Sequence, residues 1–263
     1  MSIRETIQLK KRNVINIYLT AGFPSLNSTV DIIKILSEKA VDLIELGMPY
    51  SDPLADGPTI QQSNEAALRN GQTIKLLFSQ VTEVRKYTSI PIIIMGYYNQ
   101  MLQYGEETFL AAAQKAGVNG LIIPDLPMDI YEAKYQAIFE KYDIEISFLV
   151  TPMTSDERIQ QADRLSSGFI YIVSQSSITG KKGSISDEQI RYFDKIKDMK
   201  LNSPTLIGFG IHDSETFNTA ASYSNGGIIG SAFIRALAQK LPIQQIVNDF
   251  IDPIQLGIKK TNT

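Results

Sequence analysis

Two carboxylates in the first quarter of the chain, one in an apolar run and one in the loop after it, are candidates for proton chemistry. Glu45 lies inside the apolar run VDLIELGMP, and on an extended strand it shares a face with Leu43 and Gly47. A carboxylate among such neighbours is costly to bury without a partner, and desolvation moves its pKa upward. That suits a group that must give and take a proton near neutrality. The same residue equally fits a structural place in a buried hydrogen-bond network. Asp56 falls in the segment that follows, MPYSDPLADGPTIQ (48–61), with three prolines, one glycine and two aspartates. Prolines lower the entropy cost of ordering a loop, and Asp56-Gly57 is a turn signal. The segment reads as a stiffened lid or ligand loop, or as a structural turn in which Asp52 and Asp56 act as caps.

A second kind of chemistry is written late in the chain. Three glycine-bearing turns follow apolar runs: Thr179-Gly180, Gly208-Phe209-Gly210-Ile211 and Gly230-Ser231, the last opening the helical segment SAFIRALAQ. Glycine lets backbone N–H groups approach an anion, and a helix N-terminus adds unpaired donors and a favourable dipole. One such glycine marks only a turn; three at these places point to a phosphate. Lys181 and Lys182 are the only cations in these turns, so backbone dipoles would do most of the holding. Tyr171, in GFIYIVS, is either core packing or a phenol that hydrogen-bonds substrate or Glu45. Tyr18 and Tyr97 either line a flat aromatic pocket or pack in the core. His212, just before the good N-caps Asp213 and Ser214, reads as a loop histidine.

Eight short β-rich runs must position these groups: 14–20, 42–47, 91–96, 119–124, 145–150, 168–173, 204–209 and 226–230. Several are near-continuous apolar runs, as expected of parallel strands covered on both faces. Between them the apolar residues fall at helical spacing, for example Ile74, Leu77, Phe78 and Val81, or Ile190, Phe193 and Ile196. Gly117 is placed to stop one helix, a last helix lies near 242–251, and the tail IKKTNT reads as frayed. Residues 1–13 add a charged, helix-like start. Eight strands each followed by a helix predict a (β/α)8 barrel over 1–263 as a single domain with an extra N-terminal helix. An open doubly wound sheet more often has about five or six strands. In such a barrel the chemistry sits at the C-terminal ends of the strands, where Glu45, the 48–61 loop and the glycine turns fall.

The composition narrows the function classes. A length of 263 residues suits one barrel, and 43% hydrophobic with 20% charged residues allows a substantial core. A net charge of −3 gives no footprint for nucleic acid. There are no cysteines, which excludes disulfides and thiol catalysis, and a single histidine excludes a histidine-rich metal site. No apolar run approaches the roughly 20 residues of a membrane span, and the start lacks the apolar core of a signal peptide. The expected compartment is the cytoplasm.

The stretch ELGMPYSDPLADGPTIQ (45–61) resembles, without gaps, the signature of the tryptophan synthase alpha subunit family. The resemblance continues at YLTAGFP (18–24), PDLP (124–127), ITG (178–180), GFGI (208–211) and GSA (230–232). It implies retro-aldol cleavage of indole-3-glycerol phosphate to indole and glyceraldehyde 3-phosphate. In that family's pattern Glu45 is the catalytic acid/base, Asp56 contacts the indole nitrogen and Tyr171 belongs to the active site. Gly180, Gly210, Gly230 and Ser231 stand at phosphate-binding positions, with Thr179 beside them. Asn64 and Asp125 match positions near the site or the subunit interface, and Tyr18 stands where the family commonly has an aromatic; Tyr18, Tyr97 and Asn64 are expected on the substrate side. The resemblance further implies no cofactor in this chain, and an alpha2-beta2 complex with a beta subunit that carries pyridoxal phosphate, contacted through 49–56 and the turn near Pro127.

The segment SQSSITGKKGS (174–184) departs from the family pattern. Ser177 replaces a glycine, Gln175 stands where some members have arginine, and the loop after Gly180 is short. Loop closure and coupling to the partner are the properties this touches. A lyase active without a partner, a different sugar-phosphate barrel, and a non-catalytic partner of the beta subunit remain as alternatives; retention of Glu45, Asp56 and Tyr171 speaks against the last.

Overall fold

The structure, a computed structural model, describes residues 1–53, 56–174, 186–208 and 210–261, the last three by backbone alone. Its strands are β1 (Val14–Thr20), β2 (Leu43–Gly47), β3 (Ile92–Met95), β4 (Gly120–Ile122), β5 (Glu145–Ile146), β6 (Leu149–Val150), β7 (Ile170–Val173), β8 (Thr205–Gly208) and β9 (Gly226–Ile229). They form one sheet in the order β5-β4-β3-β2-β1-β9-β8-β7-β6, and every pairing is parallel.

The two ends of that order are consecutive in the chain. The run 145–150, expected as one strand, is divided at Ser147-Phe148: β5 pairs with β4, and β6 pairs with β7. Ser147 N–H still donates to Leu121 O at 3.1 Å, while Phe169 N–H donates to Ser147 Oγ at 3.1 Å. Hydroxyls thus fill the place where the ladder passes from one neighbour to the next, and the ring closes. This is the expected eight-stranded barrel with one interrupted strand.

Closure separates two apolar cores. Between the barrel and its helices lie the outward residues, among them Ile15, Ile17, Leu19, Ile44 and Leu46, packed on the helical stripes. Inside lie Val14, Leu43, Ile93, Ile122, Phe169, Leu206 and Ile228, together with Ile3 and Ile7 of the N-terminal helix. That helix, Ile3–Lys10, starts at a capping box between Ser2 and Glu5 and plugs the N-terminal end of the barrel. Burying each isoleucine there contributes about 1.5–3 kcal/mol. Glu145 accepts the Ile3 N–H at 2.6 Å, and Arg4 donates to Ser166 O, Ser167 O and Ser203 Oγ at 2.6–2.8 Å.

The last helix is longer than its sequence suggests. It runs Ile243–Thr261 through Pro253, so the backbone of IKKT (258–261) is helical rather than frayed. Ile254 and Ile258 continue the buried stripe begun by Ile246, Val247 and Ile251, and this packing outweighs the proline. No helix among the described residues is long and apolar enough to cross a membrane.

Candidate active site

Barrel register brings the interior polar groups together. Glu45 on β2 stands opposite Tyr18 of β1 and Ile93 of β3, and it is 0% exposed. Asn16, two residues before Tyr18 on β1, is also fully buried and donates from Nδ2 to Glu45 Oε2 at 3.1 Å. Among the described residues Glu45 Oε1 has no partner, nor does Asn16 Oδ1. Burial pushes the Glu45 carboxyl up to about 8; the bond from Asn16 opposes this and the charge of Asp56 adds to it.

Asp56 reaches the same space from the loop after β2. The helix Pro58–Arg69 is capped by Gly57 without a side-chain bond and has Pro58 in its first turn. Asp56 is therefore not a helix cap, and its Oδ2 accepts from the Tyr97 hydroxyl at 3.2 Å. Burial raises its pKa to about 6, against the lowering effect of that bond. Tyr50 of the same loop stacks on Tyr97, with ring centroids 5.1 Å apart. Leu54 and Ala55 lie outside the described residues.

A narrow cavity opens at this end of the barrel, bounded by Tyr18, Met48, Asp56, Asn64, Met95 and Tyr97. Both tyrosines thus line an aromatic-walled pocket as well as packing. Asn64 is buried, with Oδ1 unpartnered. Tyr171 is partly buried at the mouth and makes no hydrogen bond to Glu45; a Cβ added at Gly208 would overlap its hydroxyl. Gly47 stands in the same relation to the Tyr18 hydroxyl, so both glycines are required by the phenols they face. Burial and the nearby Glu45 and Asp56 push both phenols well above their ordinary range, which keeps them neutral donors. Asp125 accepts the Tyr98 N–H at 2.8 Å and holds the start of the helix Tyr98–Tyr104.

The glycine turns cluster at the C-terminal ends of β8 and β9. Gly210 has φ +74, a left-handed conformation that favours glycine, with open space where a side chain would stand. Gly230 caps the helix Ser231–Leu237, with Tyr18 Cβ 3.6 Å from its own Cβ position. Thr179, Gly180, Gln175, Ser177, Lys181 and Lys182 lie outside the described residues. His212 contacts Gly210 O through Nδ1 at 2.7 Å beside the N-cap Asp213, as a loop histidine would. A wider groove lies toward the opposite end of the barrel, bordered by Arg4, Arg158 and Arg164. Arg158 and Arg164 pair with Asp129 and Glu132, and Arg4 is bound to Ser166, Ser167 and Ser203, so the cations of this groove are already engaged within the fold.

Residues 5–255 match the family model of the tryptophan synthase alpha chain. The chain belongs to the tryptophan synthase alpha chain family. It is 52% identical over 237 residues to the alpha chain of Flavobacterium psychrophilum, covering 90% of this chain and 93% of that one. To the alpha chain of Parabacteroides distasonis it is 43% identical over 253 residues, covering 96% and 98%. Among solved structures it superposes on a tryptophan synthase complex from Pyrococcus furiosus with a TM-score of 0.86 at 32% identity, covering 93% of this chain and 98% of that one. An aminoacrylate-bound tryptophan synthase from M. tuberculosis gives 0.85 at 28% identity, covering 98% and 100%. The family's barrel and its reaction are therefore those of this chain: cleavage of indole-3-glycerol phosphate to indole and glyceraldehyde 3-phosphate in tryptophan biosynthesis. Asn16 is the site residue that sequence reasoning missed. Its signal was an amide at the same parity as Val14 and Tyr18, early in a mostly apolar strand.

Proposed function

We propose that Glu45 carries both proton transfers of this cleavage and that Asp56 stabilises the charge that develops between them. The observation that carries the reading is a pair of electrostatically coupled carboxyls with different environments: Glu45, fully buried beside Tyr18, raised to about 8 with Oε1 unpartnered among the described residues, and Asp56, on the cavity wall, raised to about 6. At neutral pH the first holds a proton and the second is ionised. Glu45 gives its proton to C3 of the indole ring, which leaves an indolenine with positive charge at nitrogen. The Asp56 carboxylate accepts the hydrogen bond of that N–H. Glu45, now ionised, takes the proton of the side-chain hydroxyl next to C3. The carbon–carbon bond breaks, its electron pair returns to the ring and neutralises the nitrogen, and the hydroxyl carbon becomes the aldehyde. Glu45 ends protonated, as it began.

Tyr171 acts as a neutral donor to substrate at the mouth, and Tyr18, Asn64 and Tyr97 bound the indole pocket. The phosphate sits at Gly210, Gly230 and Ser231, supported by the left-handed turn at Gly210 and the helix start at Ser231. Thr179 and Gly180 join it on the strength of the sequence resemblance alone. The chain works as one barrel domain over 1–263 in the cytoplasm and needs no cofactor of its own. Its partner is a beta subunit carrying pyridoxal phosphate, in an alpha2-beta2 complex. Support comes from the relative solved as a tryptophan synthase complex, and from the product, an apolar indole better handed on than released.

The test is indole release from indole-3-glycerol phosphate by the purified chain, alone and with a cognate beta subunit. Slow release alone, a large increase with the partner, and none from Glu45→Gln in either state is the expected result. Near-native cleavage by Glu45→Gln overturns the acid/base assignment; fast release that the partner leaves unchanged overturns the partnership.

A further inference from the structure

Asn16 occupies a position where the barrel interior otherwise calls for a hydrocarbon. Its register partners are Leu43 on β2 and Ile228 on β9, and Val14 precedes it on the same face. A buried carboxamide there is costly unless both its donor and its acceptor are satisfied. Among the described residues only the donor is: Nδ2 bonds Glu45 Oε2, while Oδ1 has no partner there. A leucine would fill this place with no polar atom to satisfy, so stability alone gives no reason for asparagine. The return must lie at Glu45.

We propose that Asn16 is the positioning residue of the acid/base: its amide N–H holds Glu45 Oε2, and this leaves Oε1 as the oxygen that exchanges the proton with substrate. The inference rests on the assignment of Glu45 made above. In the protonated carboxyl, Oε2 is the carbonyl oxygen that accepts from Asn16 while the proton sits on Oε1. In the ionised carboxylate the same bond persists and becomes charge-assisted. One contact therefore keeps the rotamer fixed through both halves of the reaction, and the oxygen that gave the proton to C3 is the oxygen that takes the next from the hydroxyl.

The bond also opposes burial. The titratable groups coupled to Glu45 are Asp56 from the loop, Tyr18 from β1 and Tyr171 from β7, while β3 presents the uncharged Ile93. The tyrosines are neutral and Asp56 disfavours ionisation. Asn16 is the one group among the described residues that hydrogen-bonds Glu45 and favours its charged form. Its loss moves the proton affinity upward, by about one to two pH units for a hydrogen bond to a buried charge. Because Glu45 enters the reaction protonated, the alkaline limb of the pH–rate profile moves to higher pH by the same amount.

The experiment is Asn16→Leu, with the pH profile of kcat/KM for indole release and thermal unfolding measured side by side. The expected variant folds, with a Tm lowered by no more than the loss of one buried hydrogen bond, since leucine removes an unpaired amide oxygen while leaving Glu45 Oε2 without its donor. It loses about 10- to 100-fold in kcat with KM little changed, since misplacing a reacting group acts on the chemical step. Its alkaline limb lies about one to two units higher. Asn16→Ala reads the same limb if the leucine cannot be accommodated. An unmoved limb in a folded variant overturns the proposal, whatever the rate, because a residue that only fills space leaves the titration of Glu45 alone. Glu45→Gln separates the two readings: if it still cleaves, the Glu45 assignment falls; if it is inactive and Asn16→Leu keeps the parental profile, only the role of Asn16 falls.

Discussion

Replacing Glu45 by glutamine should stabilise the barrel, and by an amount that grows with pH. In the unfolded chain the carboxyl titrates near 4.5, and in the barrel it is raised to about 8. A folded-state pKa above the unfolded one gives stability that is fully present below pH 4.5 and is lost as pH rises toward 8. Through that window the unfolded chain releases the proton while the fold retains it. At about 1.4 kcal/mol per unit, the parent has lost about 1 kcal/mol at pH 5, about 3 kcal/mol at pH 7 and between about 4 and 5 kcal/mol at pH 8.5. Glutamine does not titrate. Its amide can also donate to Asn16 Oδ1, which lacks a partner, once the Asn16 carboxamide turns over to present it. Urea unfolding of parent and Glu45→Gln at pH 5, 7 and 8.5 reads the difference as a midpoint gap that widens with pH. A gap of equal size at all three would mean that burial does not hold this carboxyl neutral, and the reasoning that makes it a proton donor at neutral pH would fail with it.

Two further outcomes follow from the same geometry. Tyr97→Phe removes the donor that lowers the Asp56 pKa, so the acid limb of kcat/KM that the proposed role of Asp56 places near 6 should move up by as much as about one unit. Indole release then falls more at pH 6 than at pH 8, and an equal fall at both would show that the bond does not govern Asp56. Gly208→Ala forces a Cβ into the space of the Tyr171 ring and hydroxyl, and overpacking of this kind destabilises by about 1–3 kcal/mol. Thermal unfolding together with indole release should show both losses; an unchanged Tm would mean that Tyr171 moves aside freely.

Strand and helix periodicity, with parity along the second strand, made the barrel and Glu45 legible, because a carboxylate in VDLIELGMP is conspicuous on either face of a strand. Asp56 needed the resemblance, since a turn aspartate before glycine is ordinary; only the structure shows that Gly57 takes the cap and leaves Asp56 to Tyr97. Asn16 was missed because its contact with Glu45 is diagonal across β1 and β2, where its own register partner is Leu43. Register is a property of two strands and is not written in either alone. The break at Ser147-Phe148 is likewise set by how the barrel closes, and the helix through Pro253 by the surfaces that Ile254 and Ile258 find. Local sequence signals cannot anticipate either, because the deciding contacts are tertiary.

Five buried side-chain atoms among the described residues lack a hydrogen-bond partner: Glu45 Oε1, Asn16 Oδ1, Asn64 Oδ1, Tyr192 Oη and Gln255 Nε2. Native folds pair nearly all such atoms, so exceptions ask for a reason. Three of the five belong to residues of the barrel mouth or of its acid: two are joined by the bond between Asn16 and Glu45, and the third borders the cavity with Asp56 and Tyr97. Their clustering argues that this end of the barrel is held short of its own stability optimum, as expected where residues serve a reaction rather than the fold. Asn16 Oδ1 and Asn64 Oδ1 can only accept, while Glu45 Oε1 carries the carboxyl proton at neutral pH and is placed to give it away. A barrel repacked with hydrocarbon at Asn16 and Glu45 would be more stable and would have lost the acid proposed here.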